Sequence, residues 1–276
     1  MKSRTLRAAP RIILTYALLL VLALVSVFPF WWTLVTAVST EGNLFDFPPT
    51  FWPQSPSLKN FIEVYNAIPI LGFFKNSIMI TFWTVLIRLT LCSLAAYPLA
   101  RMHFTGKKLV FWVIMACMIL PSEANFLANF ITLNKLHLDN TYAGVILPYV
   151  VTPVSIFLLK QAFEEIPQDL VDAARVDGAS EWTIFWKIAL PLVTPWLITV
   201  GILAAVEAWN DFLWPSIVLI NPDDFPLATG VLYLKGSYGS DTRTIAAGTV
   251  LTVVPMLFVF LFAQRFFMRG LDGAVK

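Results

Sequence analysis

From Ile12 to Val38 the chain carries no charged residue, and such a run exceeds the roughly 20 residues a helix needs to cross the hydrocarbon core of a bilayer. A run like this is buried in lipid or in a large protein core. Composition decides for lipid: of 276 residues, 58% are hydrophobic and 13% charged, with mean hydropathy +0.75, against a charged share of about 25% in soluble domains. The run follows Lys2, Arg4, Arg7 and Arg11, as a signal peptide would, and Ala37-Val38-Ser39 has the look of a cleavage site. Its length, Pro29 and the pair Trp31-Trp32 favour a retained helix with an aromatic interfacial end.

Further apolar runs cover about Phe73 to Ala100, Leu109 to Pro121, Tyr142 to Leu159, Ile188 to Leu219 and Ala246 to Phe267. The expected fold is therefore all-α: a polytopic membrane protein with six transmembrane helices. Residues 1–71 hold the first helix and an external loop containing Phe47-Pro48-Pro49 and Pro53; residues 72–267 form the core, with a polar loop at 164–189; residues 268–276 form a tail. Pro121, Pro148, Pro153, Pro191, Pro195 and Pro215 fall in or beside these runs. Each removes a backbone donor, which a bilayer tolerates only where a neighbour or a cavity satisfies the freed carbonyl.

Charge sets the orientation. One side of the six-span arrangement holds the N-terminal cluster, Arg101, Lys107, Lys108, Lys160, Arg175, Lys187, Arg265, Arg269 and Lys276, whereas the other holds Lys59, Lys75, Lys135, Lys235 and Arg243. The positive-inside rule makes the first side cytoplasmic, with both termini and the 164–189 loop. Cys92 and Cys117 lie in apolar runs, so neither a disulfide framework nor a metal site is expected. No nucleic-acid partner is expected.

The polar loop reads EEIPQDLVDAARVDGASEWTIFWKIALPLVTP from Glu164 to Pro195. Pro167 suits the first turn of a short helix, Asp169 and Asp172 favour its positive end, and Asp177-Gly178 terminates it about eleven residues on. Ala173, Ala174, Gly178 and Ala179 leave little side-chain bulk among Asp172, Arg175 and Asp177, as docking into a groove of another protein requires.

Asp172-Ala173-Ala174, Asp177-Gly178-Ala179, Phe185, Leu190-Pro191-Leu192 and Pro195 resemble the cytoplasmic EAA loop of ABC-importer permeases, with Asp172 in place of the leading Glu. Asn140-Thr141-Tyr142 with Gly144 and Leu147-Pro148, Trp209-Asn210-Asp211-Phe212 with Trp214-Pro215, and Gln264-Arg265-Phe266 with Arg269-Gly270-Leu271 resemble the carbohydrate branch of that family, of the maltose and glycerol-3-phosphate type and most like its second permease. The resemblance covers about residues 72 to 273. It implies a type I importer permease in the inner membrane, heterodimeric with a second permease, docked on two ATPase subunits and served by an extracytoplasmic binding protein. It also implies that Asp172, Ala173, Ala174, Asp177, Gly178 and Ala179 couple to the ATPase. The chain has no phosphate loop of its own, since Gly106-Lys107-Lys108 lacks the upstream glycine and the hydroxyl residue. It therefore needs no cofactor; ATP and Mg belong to the partner ATPase.

Charge at membrane depth costs about 2.5 kcal/mol or more and marks function. Arg88 sits midway in the second run, Glu123 follows Pro121, and Glu207 and Asp211 lie one turn apart in the fifth. The resemblance places Trp209, Asn210 and Asp211 near the translocation path, where Trp209, Phe212 and Trp214 would stack on sugar. Arg88 and Glu207 lie outside the matched motifs and have two readings, an interhelical ion pair or a substrate contact. Three alternatives accompany the sugar-importer reading: import of glycerol-3-phosphate or a glycerophosphodiester, with Arg88 facing the anion; ion-coupled secondary transport through Glu207 or Asp211; and an intramembrane enzyme. The last has little support, because His103 and His137 fall near opposite faces and no catalytic dyad is evident.

Overall fold

The computed structural model describes residues 3–41, 51–119, 121–237 and 241–274, without the side chains of 3–11, 122–123, 235–237 and 262–274. The side chains of Glu123 and of the tail motifs at Gln264-Arg265-Phe266 and Arg269-Gly270-Leu271 thus lie outside the described residues, as does Phe47-Pro48-Pro49. The described residues are helical throughout, joined by turns and by one isolated β-bridge between Ser39 and Pro56. Two compact units emerge, residues 1–68 with 233–253 and residues 69–232 with 254–276.

In the first unit, helix α1 (Ser3–Val38) is followed by α2 (Lys59–Ala67), a short helix inside the expected external loop. The buried Asn60 amide donates to the carbonyls of Ala37 and Ser39 at 2.8 and 2.9 Å, satisfying the orphan acceptors at the end of α1. Apolar side chains from Ile12 to Phe30 are exposed along α1, as suits a helix whose solvent is lipid.

The second unit is built on α3 (Ile70–Arg101), which packs along α7 (Pro153–Glu165) and α11 (Thr194–Asn210). Between them in sequence come α4 (Lys107–Ala116), α5 (Phe126–Lys135), α6 (Tyr142–Ile146), α8 (Gln168–Val176), α9 (Glu181–Ile184) and α10 (Leu190–Leu192). Beyond α11 come α12 (Leu213–Val218), α13 (Leu227–Ser237) and α14 (Thr242–Ala274), the last two running across the boundary between the units. The core gathers Cys92, Ala96, Leu159, Phe163, Ile184, Phe185 and Val200, and Tyr97 meets Phe163 and Phe185 with ring centroids at 5.5 and 5.2 Å. Small residues on α3 let the helices approach while the aromatic cluster fills the end of α3 nearest Arg101.

The prolines shape this unit through the carbonyls they free. A helix carbonyl accepts from the residue four positions on, so Pro148 and Pro195 orphan the carbonyls of Gly144 and Pro191, while the extended residues Thr152 and Ile166 ahead of Pro153 and Pro167 end the helical path and leave those of Tyr149 and Phe163 without such a partner. Each finds another donor: Trp214 Nε1 reaches Gly144 at 3.2 Å, Arg88 Nε reaches Tyr149 at 2.8 Å, Arg101 Nε reaches Phe163 at 2.7 Å and Thr194 Oγ1 reaches Pro191 at 2.7 Å. Prolines that break helices here also create acceptors that tie the pieces to their neighbours.

The breaks alter the expected spans. Among the described residues, three helices are long and apolar enough to cross a bilayer, Ile12–Val38, Ile70–Arg101 and Thr242–Leu261, and two bent pairs bring the number to five if each pair is one crossing. The fifth expected run is not one kinked helix: Glu181–Leu192 meets Thr194–Asn210 at 76°, and the chain is extended at Asp211 before α12. Pro195 accounts for the first break, and a π-helical turn at Phe185–Ala189 precedes it. The run at Leu109 to Pro121 yields only the 10-residue α4 and a 3-10 turn through Ile119, about half the length a crossing requires.

Candidate functional site

Two polar clusters lie within the second unit. The first surrounds α8. Its N-cap is Pro167, with extended ψ of 130°, so the helix begins one residue later than the sequence suggests and runs nine residues. Its end is a Schellman motif: Ala179 N–H reaches the Ala174 carbonyl and Gly178 N–H the Arg175 carbonyl, both at 3.0 Å, with Gly178 at φ +82°. A Cβ at Gly178 would meet nothing within 4 Å, so the glycine is required by backbone conformation rather than by space.

The expected coupling residues divide into two sets. Ala174 is buried with Val171 against the aromatic core, and Ala179 packs at its edge, so neither forms part of an open surface. Asp172, Ala173, Asp177 and Gly178 are exposed. Beside them stand apolar side chains that small-residue reasoning overlooked: Leu170 is 45%, Val176 87% and Trp182 62% exposed. Their signal in the sequence was a break in the amphipathic pattern, with apolar residues on the polar side of a short helix.

A polar lattice ties this helix to the end of α3. Tyr97 Oη donates to Glu181 Oε2 at 2.9 Å, Glu181 Oε1 accepts from Arg175 Nε at 2.8 Å, and Arg175 Nη1 donates to Asp172 Oδ1 at 3.0 Å. The hydrogen bond to Glu181 holds the Arg175 guanidinium above its ordinary pKa against the opposing effect of burial, with the charge of Glu181 and the bond and charge of Asp172 adding to it. Arg101, buried, donates to the carbonyls of Phe163 and Ile166 and to Gln168 Oε1, the last at 2.8 Å, and Gln168 Nε2 donates in turn to Asp172 at 3.0 Å. Asp172 is thus engaged within the chain at the second turn of α8, and Asp169 is the carboxylate in the first turn.

The second cluster lies between α3 and α11. Arg88 Nη1 donates to Glu207 Oε2 at 2.5 Å, across 119 positions of sequence, so the two charges are paired between α3 and α11. The two partners are unequally placed, with the Arg88 side chain 3% exposed and that of Glu207 50% exposed. A cavity of about 290 Å³ opens here, lined among others by Arg88, Glu207, Asn210, Asp211, Thr84 and Tyr149. Asp211 accepts from the Trp214 backbone N–H at 3.2 Å and so starts α12.

Trp209 does not line this cavity. It is buried, edge-on to Phe74 at 5.8 Å, and Trp214 is fully buried and held by Gly144, so both rings pack the protein rather than stack on a ligand. The motif matched there is partly structural: its polar members face the cavity and its tryptophans face the core.

Bent apolar helix pairs, a polar cavity among them and an exposed short helix laced to a membrane helix define a membrane transport subunit. Residues 89–273 match the model of the binding-protein-dependent transport system inner membrane component, and the chain belongs to that family. It is 39% identical over 228 residues, 82% of either chain, to the arabinooligosaccharides transport system permease protein of Halalkalibacterium halodurans. It is 30% identical over 272 residues, 99% of either chain, to the lactose transport system permease protein of Rhizobium radiobacter. A subunit of a bacterial ABC transporter involved in the import of the acidic polysaccharide alginate shares the fold at a TM-score of 0.82 and 22% identity, over 97% of this chain and 99% of that one. The family is one of transport permeases, not enzymes, which sets aside the enzyme and secondary-transporter alternatives.

Proposed function

We propose that this chain is one permease of an ATP-driven importer of a sugar or oligosaccharide. It pairs with a second, related permease; two separate ATPase subunits bind ATP and Mg; an extracytoplasmic binding protein delivers the substrate. Six crossings are counted by taking α4 and the turn after it as the third, with both termini and the α8 loop cytoplasmic. The names of the arabinooligosaccharide and lactose relatives support the substrate class.

The observation that carries the coupling role is the construction of α8. Its inner face, Val171 and Ala174, is built into the core, while Leu170, Ala173 and Val176 are exposed. A short helix with apolar residues exposed on its outer side fits a groove in a partner. Its ties to Arg101 and Tyr97 carry a rigid-body movement of the docked helix into α3, switching access to the cavity.

The test is ATP hydrolysis by the assembly co-expressed with its chromosomal neighbours, with subunit retention read by mass. In the wild type, loaded binding protein should stimulate hydrolysis; Gly178→Asp and Asp172→Lys should abolish that stimulation or release the ATPase. If no ATPase co-purifies and both variants still transport, the reading fails.

A further inference from the structure

The cavity at Glu207 exposes carboxylate more than its compensating cation. Arg88, the only arginine in the membrane-depth part of α3, stands in the cavity wall but is nearly sealed: its side chain is 3% exposed, Nε is held by the Tyr149 carbonyl at 2.8 Å and Nη1 by Glu207 at 2.5 Å, and Nη2 is buried without a hydrogen-bond partner among the described residues. Glu207 is half exposed, with Oε2 engaged by Arg88 and, among the described residues, no hydrogen bond to Oε1. Asn210, one turn on, is exposed and lines the same cavity, as does Asp211. What a ligand meets is therefore a fixed carboxylate acceptor, a carboxamide and a second carboxylate, with the compensating cation behind them.

We infer that Glu207 and Asn210 form a hydroxyl-binding subsite for an uncharged saccharide on its way through this permease, with Arg88 as the positioning residue that orients Glu207. The inference rests on the saccharide-import reading and narrows it. A carboxylate accepts strong hydrogen bonds from hydroxyl donors, and a carboxamide both donates and accepts, so a vicinal diol matches the pair. A phosphate or uronate would instead approach two carboxylates whose neighbouring cation is buried and already paired, an arrangement that disfavours it. The volume suits one sugar unit better than a whole oligosaccharide, being at the lower end of the range for small-ligand pockets, about 300 Å³.

The test uses the complete importer with its binding protein in proteoliposomes, measuring labelled ligand delivered per ATP hydrolysed. The neutral probes are arabinotriose and lactose; the acidic probes are an alginate oligosaccharide and glycerol-3-phosphate. The informative variant is Arg88→Met with Glu207→Leu, because replacing both members of the pair leaves no buried charge stranded. It should retain its subunits, read by mass, yet deliver about tenfold less neutral sugar per ATP, as loss of a charge-assisted hydrogen bond predicts. Should the double variant fail to assemble, Glu207→Gln decides by the same ratio, which it should lower severalfold.

A wild-type ratio in the assembled variants, with neutral sugar transported, would overturn the subsite and leave sugar import standing. Uptake of the alginate oligosaccharide in place of the neutral sugars would also overturn it, again without touching sugar import. Uptake of glycerol-3-phosphate alone, or of none of the probes, would defeat the saccharide reading itself.

Discussion

Both polar clusters pair arginine with glutamate, and they use the pair in opposite ways. At the cavity the arginine is sealed at 3% exposure and the glutamate stands half open; beside α8, Arg175 and Glu181 are similarly exposed, at 32% and 37%, and belong to a longer chain of bonds. In the first case one partner is offered to a ligand while the other maintains it. In the second, both hold two structural elements together, and Arg101 beneath them is the buried anchor. Removing an arginine should therefore mean different things in the two places.

The largest effect should come from Arg101→Ala, which strips donors from the Phe163 and Ile166 carbonyls and from Gln168 at once. A loss of about 3 kcal/mol or more is expected, since hydrogen bonds to charged groups contribute about 1.5–3 kcal/mol each. A thermal shift of the purified complex reads it, and an unchanged midpoint would dissolve the contrast between anchor and lattice. Next, Glu207→Leu should destabilise by about 3 kcal/mol because it strands a buried cation. Arg88→Met should cost only about 1 kcal/mol, since the carboxylate it leaves behind is half exposed. Equal midpoints for these two variants would contradict the asymmetry of the pair.

A smaller loss, about 1–2 kcal/mol, is expected for Trp214→Phe, which keeps the ring but leaves the carbonyl freed by Pro148 without its donor. Denaturation in mild detergent measures that. Gly178→Ala should cost about 1 kcal/mol through its left-handed backbone alone, while lowering stimulated ATP hydrolysis more than stability. The smallest effect belongs to Lys59→Ala, which breaks an exposed i,i+4 contact to Glu63 at 3.7 Å and should stay below about 0.5 kcal/mol. If it matched Arg101→Ala, exposure would not be what separates the two kinds of pair.

The α8 loop was legible because its signals are local. Pro167, Asp177 and Gly178 act on the backbone within a few residues, and the helix lies within two residues of where they place it. The cavity was half legible. Arg88 and Glu207 stood out as charges in apolar runs, but whether they met, and which of them faced outward, depended on packing between α3 and α11. Trp209 shows the failure plainly: it sits in the matched motif beside Asn210 and Asp211, yet its ring turns into the core against Phe74. Neighbouring helix residues differ by about 100° in direction, so membership in a motif does not say which face a side chain occupies.

The sequence by itself determined that the chain enters a bilayer, that helices carry it there, where they break, and where a short punctuated helix ends. Each of these follows from run length, from a missing proline N–H or from a glycine's freedom, all properties of adjacent residues. Only the tertiary structure decided who answers the prolines: Trp214 for Gly144, Arg88 for Tyr149 and Arg101 for Phe163, across separations of 70, 61 and 62 positions. A freed carbonyl can be predicted from one residue, but its donor is chosen by whichever side chain the packing of other helices brings within about 3 Å.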